Sequence, residues 1–189
     1  MTAKAFVRES NKIEGIIRPP TEDELAAHDR LLRLDKITVG DMEAFVKLVQ
    51  PDAILRRSVG LNVRVGSHVP PPGGPDIERS LENLLSNTGG RHPFGVHCEY
   101  EALHPFTGGN GRSGRALWLW AMNRKREGPR ARTLGFLHTW YYQTWEQNVN
   151  RTSNTGWECP RCRVIHSPDT TRCTVISFAR FGSTTSLWT

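Results

Sequence analysis

Apolar residues recur at intervals of three and four along most of the chain, the spacing of helices that bury one face. Thr21-Glu22-Asp23-Glu24, just after Pro19-Pro20, is a capping box, and Leu25, Leu31, Leu32 and Leu34 behind it form the apolar face of a helix. Val39, Met42, Phe45, Val46 and Val49 predict a second helix over Thr38 to Gln50, stopped by Pro51. Ile77, Leu81, Leu84 and Leu85 predict another over Asp76 to Leu85, and further helical stretches fall at Pro93–Leu103 and from Ala116 onward. The strongest amphipathic stretch is Thr133 to Asn148, where Phe136, Leu137, Trp140, Tyr141, Thr144 and Trp145 form one stripe, assigned to packing before base stacking. One segment breaks the rhythm. Leu61, Val63 and Val65 alternate with Asn62, Arg64 and Gly66, the period of a strand, so a small hairpin is expected before Pro70-Pro71-Pro72 ends regular structure. The fold expected is therefore mainly α, with a small β-hairpin, over residues 1–150; beyond Asn150 the periodicity fades and residues 151–189 read as an appendage.

Composition adds bounds to this picture. With 189 residues and 37% apolar side chains, the chain is long enough for one domain with a real core. No run approaches the ~18 apolar residues of a spanning helix, and Met1 to Ser10 lacks a hydrophobic signal core, so a cytoplasmic protein without a membrane partner is expected. The net charge is +6, and residues 101–150 hold seven basic side chains against three acidic ones. A surplus this modest ranks nucleic acid below a small phosphorylated ligand.

Chemistry concentrates in residues 104–115, which read His-Pro-Phe-Thr-Gly-Gly-Asn-Gly-Arg-Ser-Gly-Arg ahead of a helix-like run. Gly109 and Gly111 let backbone N–H groups converge on an anion, and the positive end of the following helix adds to the attraction. Arg112 and Arg115, three apart, present two guanidinium forks to neighbouring phosphates. His104, at the far lip of the loop, is a candidate base. Gly109 to Gly114 also fits G-x-G-x-x-G, but no strand precedes it and no acidic residue follows at the distance a dinucleotide site needs.

This segment is similar to the Fic-domain signature H-P-F-x-[D/E]-G-N-G-R-x-x-R, agreeing at eleven of twelve positions. Residues 10–15, 63–75 and 135–143 also resemble small bacterial members of that family, so the similarity spans roughly residues 8–150. It implies a Fic-like helical bundle that transfers AMP from ATP to a Ser, Thr or Tyr hydroxyl of a target protein or of the chain itself. In that resemblance His104 is the base, Gly109, Asn110 and Gly111 cradle the α and β phosphates, and Arg112 and Arg115 hold the outer phosphates. The hairpin around Leu61, Val63 and Val65 becomes a flap that registers a target segment by strand addition. Ser10-x-x-x-Glu14-Gly15 matches the family's inhibitory motif, placing an inhibitory helix at about residues 8–18 in which Glu14 pairs with Arg115 against the γ-phosphate.

The one departure is Gly108, where the family carries an acidic ligand for Mg²⁺. Loss of that anion weakens metal positioning and leaves pyrophosphate departure less well neutralised. Three outcomes stay open: a slowed AMP transferase, a transferase of another phosphate-containing group, and a catalytically impaired nucleotide-binding or regulatory module.

Four cysteines without a secretory signal argue against a disulfide framework. Cys159, Cys162, His166 and Cys173 supply the four ligands of a tetrahedral Zn²⁺ site, with free thiols as the alternative.

Overall fold

Capping boxes and prolines in the sequence set where four of the described helices begin. The computed structural model describes residues 3–66 and 68–125 and, later in the chain, residues 157–158 and 165–166. Its helices are α1 (Ala3–Ile13), α2 (Glu22–Arg33), α3 (Val39–Val49), α4 (Pro75–Ser86), α5 (Pro93–Leu103) and α6 (Asn110–Arg124). Thr21 caps α2 and Thr38 caps α3, each as a complete capping box, with Glu24 and Asp41 returning a bond to the cap residue's own amide. Pro75 and Pro93 start α4 and α5 at positions whose N–H would have had no partner anyway.

The core is built around α6, whose residues from Arg112 to Met122 are all buried. A helix covered on every side lies at the centre of its bundle, and α6 packs against α1, α2, α3 and α5. Gly114 sets its distance from α5: a Cβ there would stand 3.0 Å from Tyr100 Cδ1 and 3.2 Å from His97 Nδ1, and would also collide with Glu101 Oε1. Tyr100 and Ser113 join their hydroxyls at 2.7 Å across the same contact. Phe6 and Val7 of α1 reach Trp118 and Leu119 of α6, and burying each such side chain contributes about 1.5–3 kcal/mol.

One expectation is corrected, and one is not shown. The N-terminal helix does not span residues 8–18; it runs from Ala3 to Ile13 and ends just before Glu14, because Gly15 turns left-handed (φ 75°) and the amides of Gly15 and Ile16 return to the carbonyls of Lys12 and Asn11. The hairpin expected around Leu61, Val63 and Val65 is not shown. Among the described residues of this loop, pairing is confined to one bridge between Val65 and His68, closed through Gly66. Alternation predicts a strand only where a partner strand exists. Here Gly60, Gly66 and Pro70 to Pro72 cut the run short, and Asn62 bends back to accept from the Gly73 amide at 2.9 Å.

The chain divides into two units, Met1–His138 and Thr139–Thr189. In the second, β1 (Trp157–Glu158) and β2 (Ile165–His166) pair antiparallel, Trp157 opposite His166 and Glu158 opposite Ile165. The helix expected over Thr133 to Asn148, the resemblance over 135–143, and Cys159, Cys162 and Cys173 lie outside the described residues. His166 stands in β2. Among the described residues no helix is long and apolar enough to cross a membrane.

Candidate functional site

The loop between α5 and α6 is held as a closed ring by its own side chains. The Asn110 amide accepts from the Phe106 N–H at 2.9 Å and donates to the Phe106 carbonyl at 2.8 Å, so this side chain braces the loop while its backbone N–H opens α6. A second brace runs along residues 54–56: Leu55 bridges Phe106, and the Thr107 amide donates to the Ile54 carbonyl at 3.0 Å. Gly109 is the N-cap of α6, left-handed at φ 72°, and supplies no capping side chain. The first amides of the helix precede its first internal acceptor, so their dipoles converge on the space before Gly111.

Arg115 and Glu14 meet at that space. Arg115 is fully buried in the first turns of α6; its Nε donates to Ser10 Oγ at 2.8 Å, and its Nη2 donates to the Ser10 carbonyl at 2.9 Å and to Glu14 Oε1 at 2.5 Å. The Glu14 carboxylate also abuts Gly111, where an added Cβ would collide with Oε1 and lie 2.9 Å from Arg115 Nη1. Ser10 explains itself only in this setting. It lies on the inward face of α1 beside Phe6 and Val7, where an apolar residue would be expected, and it is fully buried.

The second arginine points elsewhere. Arg112 donates from Nη1 to the Val49 carbonyl at 2.6 Å and from Nη2 to Gln50 Oε1 at 2.5 Å, covering the negative end of α3. Its Nε has no hydrogen-bond partner among the described residues although it is buried. The two forks expected to share neighbouring phosphates thus engage different protein acceptors, at the end of α3 for Arg112 and at the end of α1 for Arg115.

Behind them Glu24 holds the N-terminal segment from the other side. Its carboxylate accepts two bonds from Arg18, both at 2.9 Å, one from Asn11 at 3.2 Å and one from the Thr21 amide at 2.8 Å, and Arg112 Nη1 stands 4.0 Å away. Burial pushes this carboxyl up, but the Arg18 and Thr21 bonds hold it down at about 2. Arg18 and Asn11 therefore grip one carboxylate while Ser10 and Glu14 grip one guanidinium.

His104 ends α5 in the left-handed region, φ 47° and ψ 61°, the one non-glycine residue so placed among those described. Burial, and then the positive charge of Arg56, lower its imidazole to about 4 against the counter-pull of a bond with the Glu101 carbonyl and the charge of Glu14. The ring is neutral at pH 7 and carries a free pair to accept a proton.

At Gly108 the neighbours are Gln50 Cγ, 3.4 Å from where a Cβ would sit, and Ala53 Cβ at 3.6 Å. Neither is anionic, and among the described residues no group of three or more metal-ligating side chains gathers. The site does not offer Mg²⁺ a carboxylate at this position. Leu61 and Val63 are half-buried and Val65 is exposed on the loop beside α5, where His68 Nε2 lies 3.0 Å from the Ala102 carbonyl.

Three contributors escaped the sequence analysis. Glu24 is visible there only as the end of a capping box, and Gln50 only as the end of a helix. Arg56 is one of two adjacent arginines that nothing in the spacing distinguishes, although Arg57 faces Glu43 and Glu78 at the surface and Arg56 is wholly buried. No protein-family model matches the chain, and no curated protein matches it either.

Proposed function

We propose that the chain is a protein adenylyltransferase in a self-inhibited form. One observation carries this above others: the buried guanidinium of Arg115, at the anion-attracting start of α6, is occupied by Glu14 and Ser10 from the N-terminal segment. A cation placed to receive a phosphate and covered by the chain's own carboxylate is the arrangement expected of a blocked nucleotide site. The resemblance of residues 104–115 to the Fic signature supports the same conclusion.

In the reaction, ATP lays its phosphates along the Gly109–Gly111 amides, and displacement of Glu14 frees Arg115 to neutralise their outer charge. The neutral His104 imidazole takes the proton from a Ser, Thr or Tyr hydroxyl as its oxygen bonds to the α-phosphorus. The bond from that phosphorus to the bridging oxygen breaks, and pyrophosphate leaves with the electron pair. Asn110 keeps the loop in shape, and Leu61, Val63 and Val65 line the face offered to the target. Mg²⁺ arriving with ATP would find phosphate oxygens and water but no carboxylate at Gly108.

Glu14→Gly removes a charge-assisted bond worth about 1.5–3 kcal/mol, so AMP incorporation should rise by roughly 10- to 100-fold. His104→Ala in that background should lower it by about 10² or more. Incorporation that is unchanged by Glu14→Gly removes the inhibitory role, and incorporation that survives His104→Ala removes the base.

The second candidate is a nucleotide-binding regulatory module without turnover. Gly108 and the engagement of Arg112 with Val49 and Gln50 favour it, and it predicts ATP binding that Glu14→Gly strengthens while no label enters protein.

A further inference from the structure

Arg56 and Arg115 are the two largest side chains fully shielded from solvent among the described residues. Arg115 has a carboxylate. Among the described residues Arg56 has none: burial lowers its pKa, and guanidinium does not give up its proton in a protein. A buried cation without an anion is costly unless aligned dipoles replace the lost water. Here they are carbonyls. Arg56 Nε donates to His104 O at 2.7 Å and Nη2 to Leu103 O at 2.8 Å, while Nη1 donates to Pro71 O at 2.8 Å and Leu61 O at 3.2 Å. The first two are end carbonyls of α5, without helical partners and at its negative pole. The other two belong to the loop that carries Leu61, Val63 and Val65.

The backbone of Arg56 adds to the grip. Its own N–H donates to Pro105 O at 2.9 Å, so one residue holds the carbonyls of both His104 and Pro105, and its carbonyl accepts from the Gly74 amide at 2.9 Å. His104 needs such restraint. A left-handed non-glycine residue is strained, and a following proline disfavours helical backbone further. Strain of this kind persists where the surroundings over-determine it.

We propose that Arg56 is the positioning residue of the site: by holding Leu103 and His104 on one side and Leu61 and Pro71 on the other, it fixes the left-handed turn at His104, and so the direction of the imidazole, in register with the loop that meets the target. This deepens the transferase proposal and rests on it for what the imidazole does. The groups facing that ring are Arg56, His68, Glu14 and the Glu101 carbonyl. Of these, Arg56 also bonds the backbone on which the ring is mounted.

The test uses the full chain with Glu14→Gly, and compares Arg56 with Arg56→Lys, which keeps the charge and loses the fork, and with Arg56→Met, which loses both. Three readouts are taken: AMP transfer, ATP affinity, and the ring signals of His104 through a pH titration by nitrogen-detected magnetic resonance, with His28 as internal control. Arg56→Lys should leave ATP affinity within about twofold while kcat falls by about a hundredfold, as expected of a displaced base. The His104 ring signals should shift in both variants, its midpoint should rise in Arg56→Met, and His28 should stay where it was. Should Arg56→Met not fold, Arg56→Lys decides alone. Parent-level kcat in Arg56→Lys, or loss of ATP affinity and thermal stability in step with kcat, overturns the proposal. If the Glu14→Gly chain itself transfers no AMP, the transferase proposal fails separately; His104 signals unmoved by either Arg56 variant then overturn the positioning role, and signals that move while His28 stays put uphold it.

Discussion

A side chain at position 108 would meet nothing harder than the Gln50 methylene and the Ala53 methyl, at 3.4 and 3.6 Å, and Gly108 is not among the residues with positive φ. An aspartate therefore fits there without rebuilding the loop. It would place a carboxylate beside Gln50, whose amide oxygen already engages Arg112. In the Glu14→Gly background, Gly108→Asp should raise Mg²⁺-dependent AMP transfer by roughly tenfold or more, the worth of one charge-assisted interaction, with the melting temperature nearly unchanged. Equal transfer with and without the aspartate would remove the metal from the explanation of this position. The same loop marks what could be read from residues alone. His104, the glycines and the two arginines stand within twelve positions, so spacing exposes them. Arg56 and Gln50 reach the loop from 48 and 62 residues away, and Arg56 does so through backbone carbonyls, which carry no sequence signal.

Among the elements, α2 and α5 bury polar groups that titrate only in acid. His28 of α2 packs edge-on against Phe45, with ring centres 4.8 Å apart, and lies near Phe6 of α1. Burial, opposed by its bond to the Glu24 carbonyl at 2.7 Å, lowers it from 6.5 to about 4. His97 falls to about 3, again through burial first, and His104 to about 4. For each, the folded state binds protons less readily than the unfolded chain, so its stabilisation is complete above pH 6.5 and is lost as pH falls toward the folded value. A shift of this size at His28 corresponds to about 3 kcal/mol. Glu24, lowered from 4.5 to about 2, extends the loss to lower pH. Denaturant unfolding should show stability dropping between pH 6.5 and 4, and His28→Phe should make that drop shallower. A slope that His28→Phe leaves untouched would mean that the buried histidine is not what acid attacks. Helices such as α2 and α3 were legible because caps and apolar spacing agree. The expected hairpin is not shown, since alternation specifies a face but not a neighbouring strand, and α1 ends earlier than expected because one left-handed glycine outweighs the residues around it.

At the scale of the whole molecule, α6 is both the centre of the helical core and the floor of the site. Its buried positions from Ala116 to Met122 pack the bundle, while Arg112 and Arg115 at its start reach α3 and α1. Release of the N-terminal segment therefore has two handles, Arg115 on Ser10 and Glu14, and Glu24 on Asn11 and Arg18. The proposed cycle has the shape of a latch that opens over a pre-built anion site. The most direct measurement is to incubate the Glu14→Gly chain with ATP labelled separately at the α and γ phosphates and to read which label becomes covalently bound to protein. The account predicts that the α label enters on hydroxyl side chains, that the γ label stays out, and that His104→Ala abolishes the signal. Entry of the γ label, or of neither label, would contradict it.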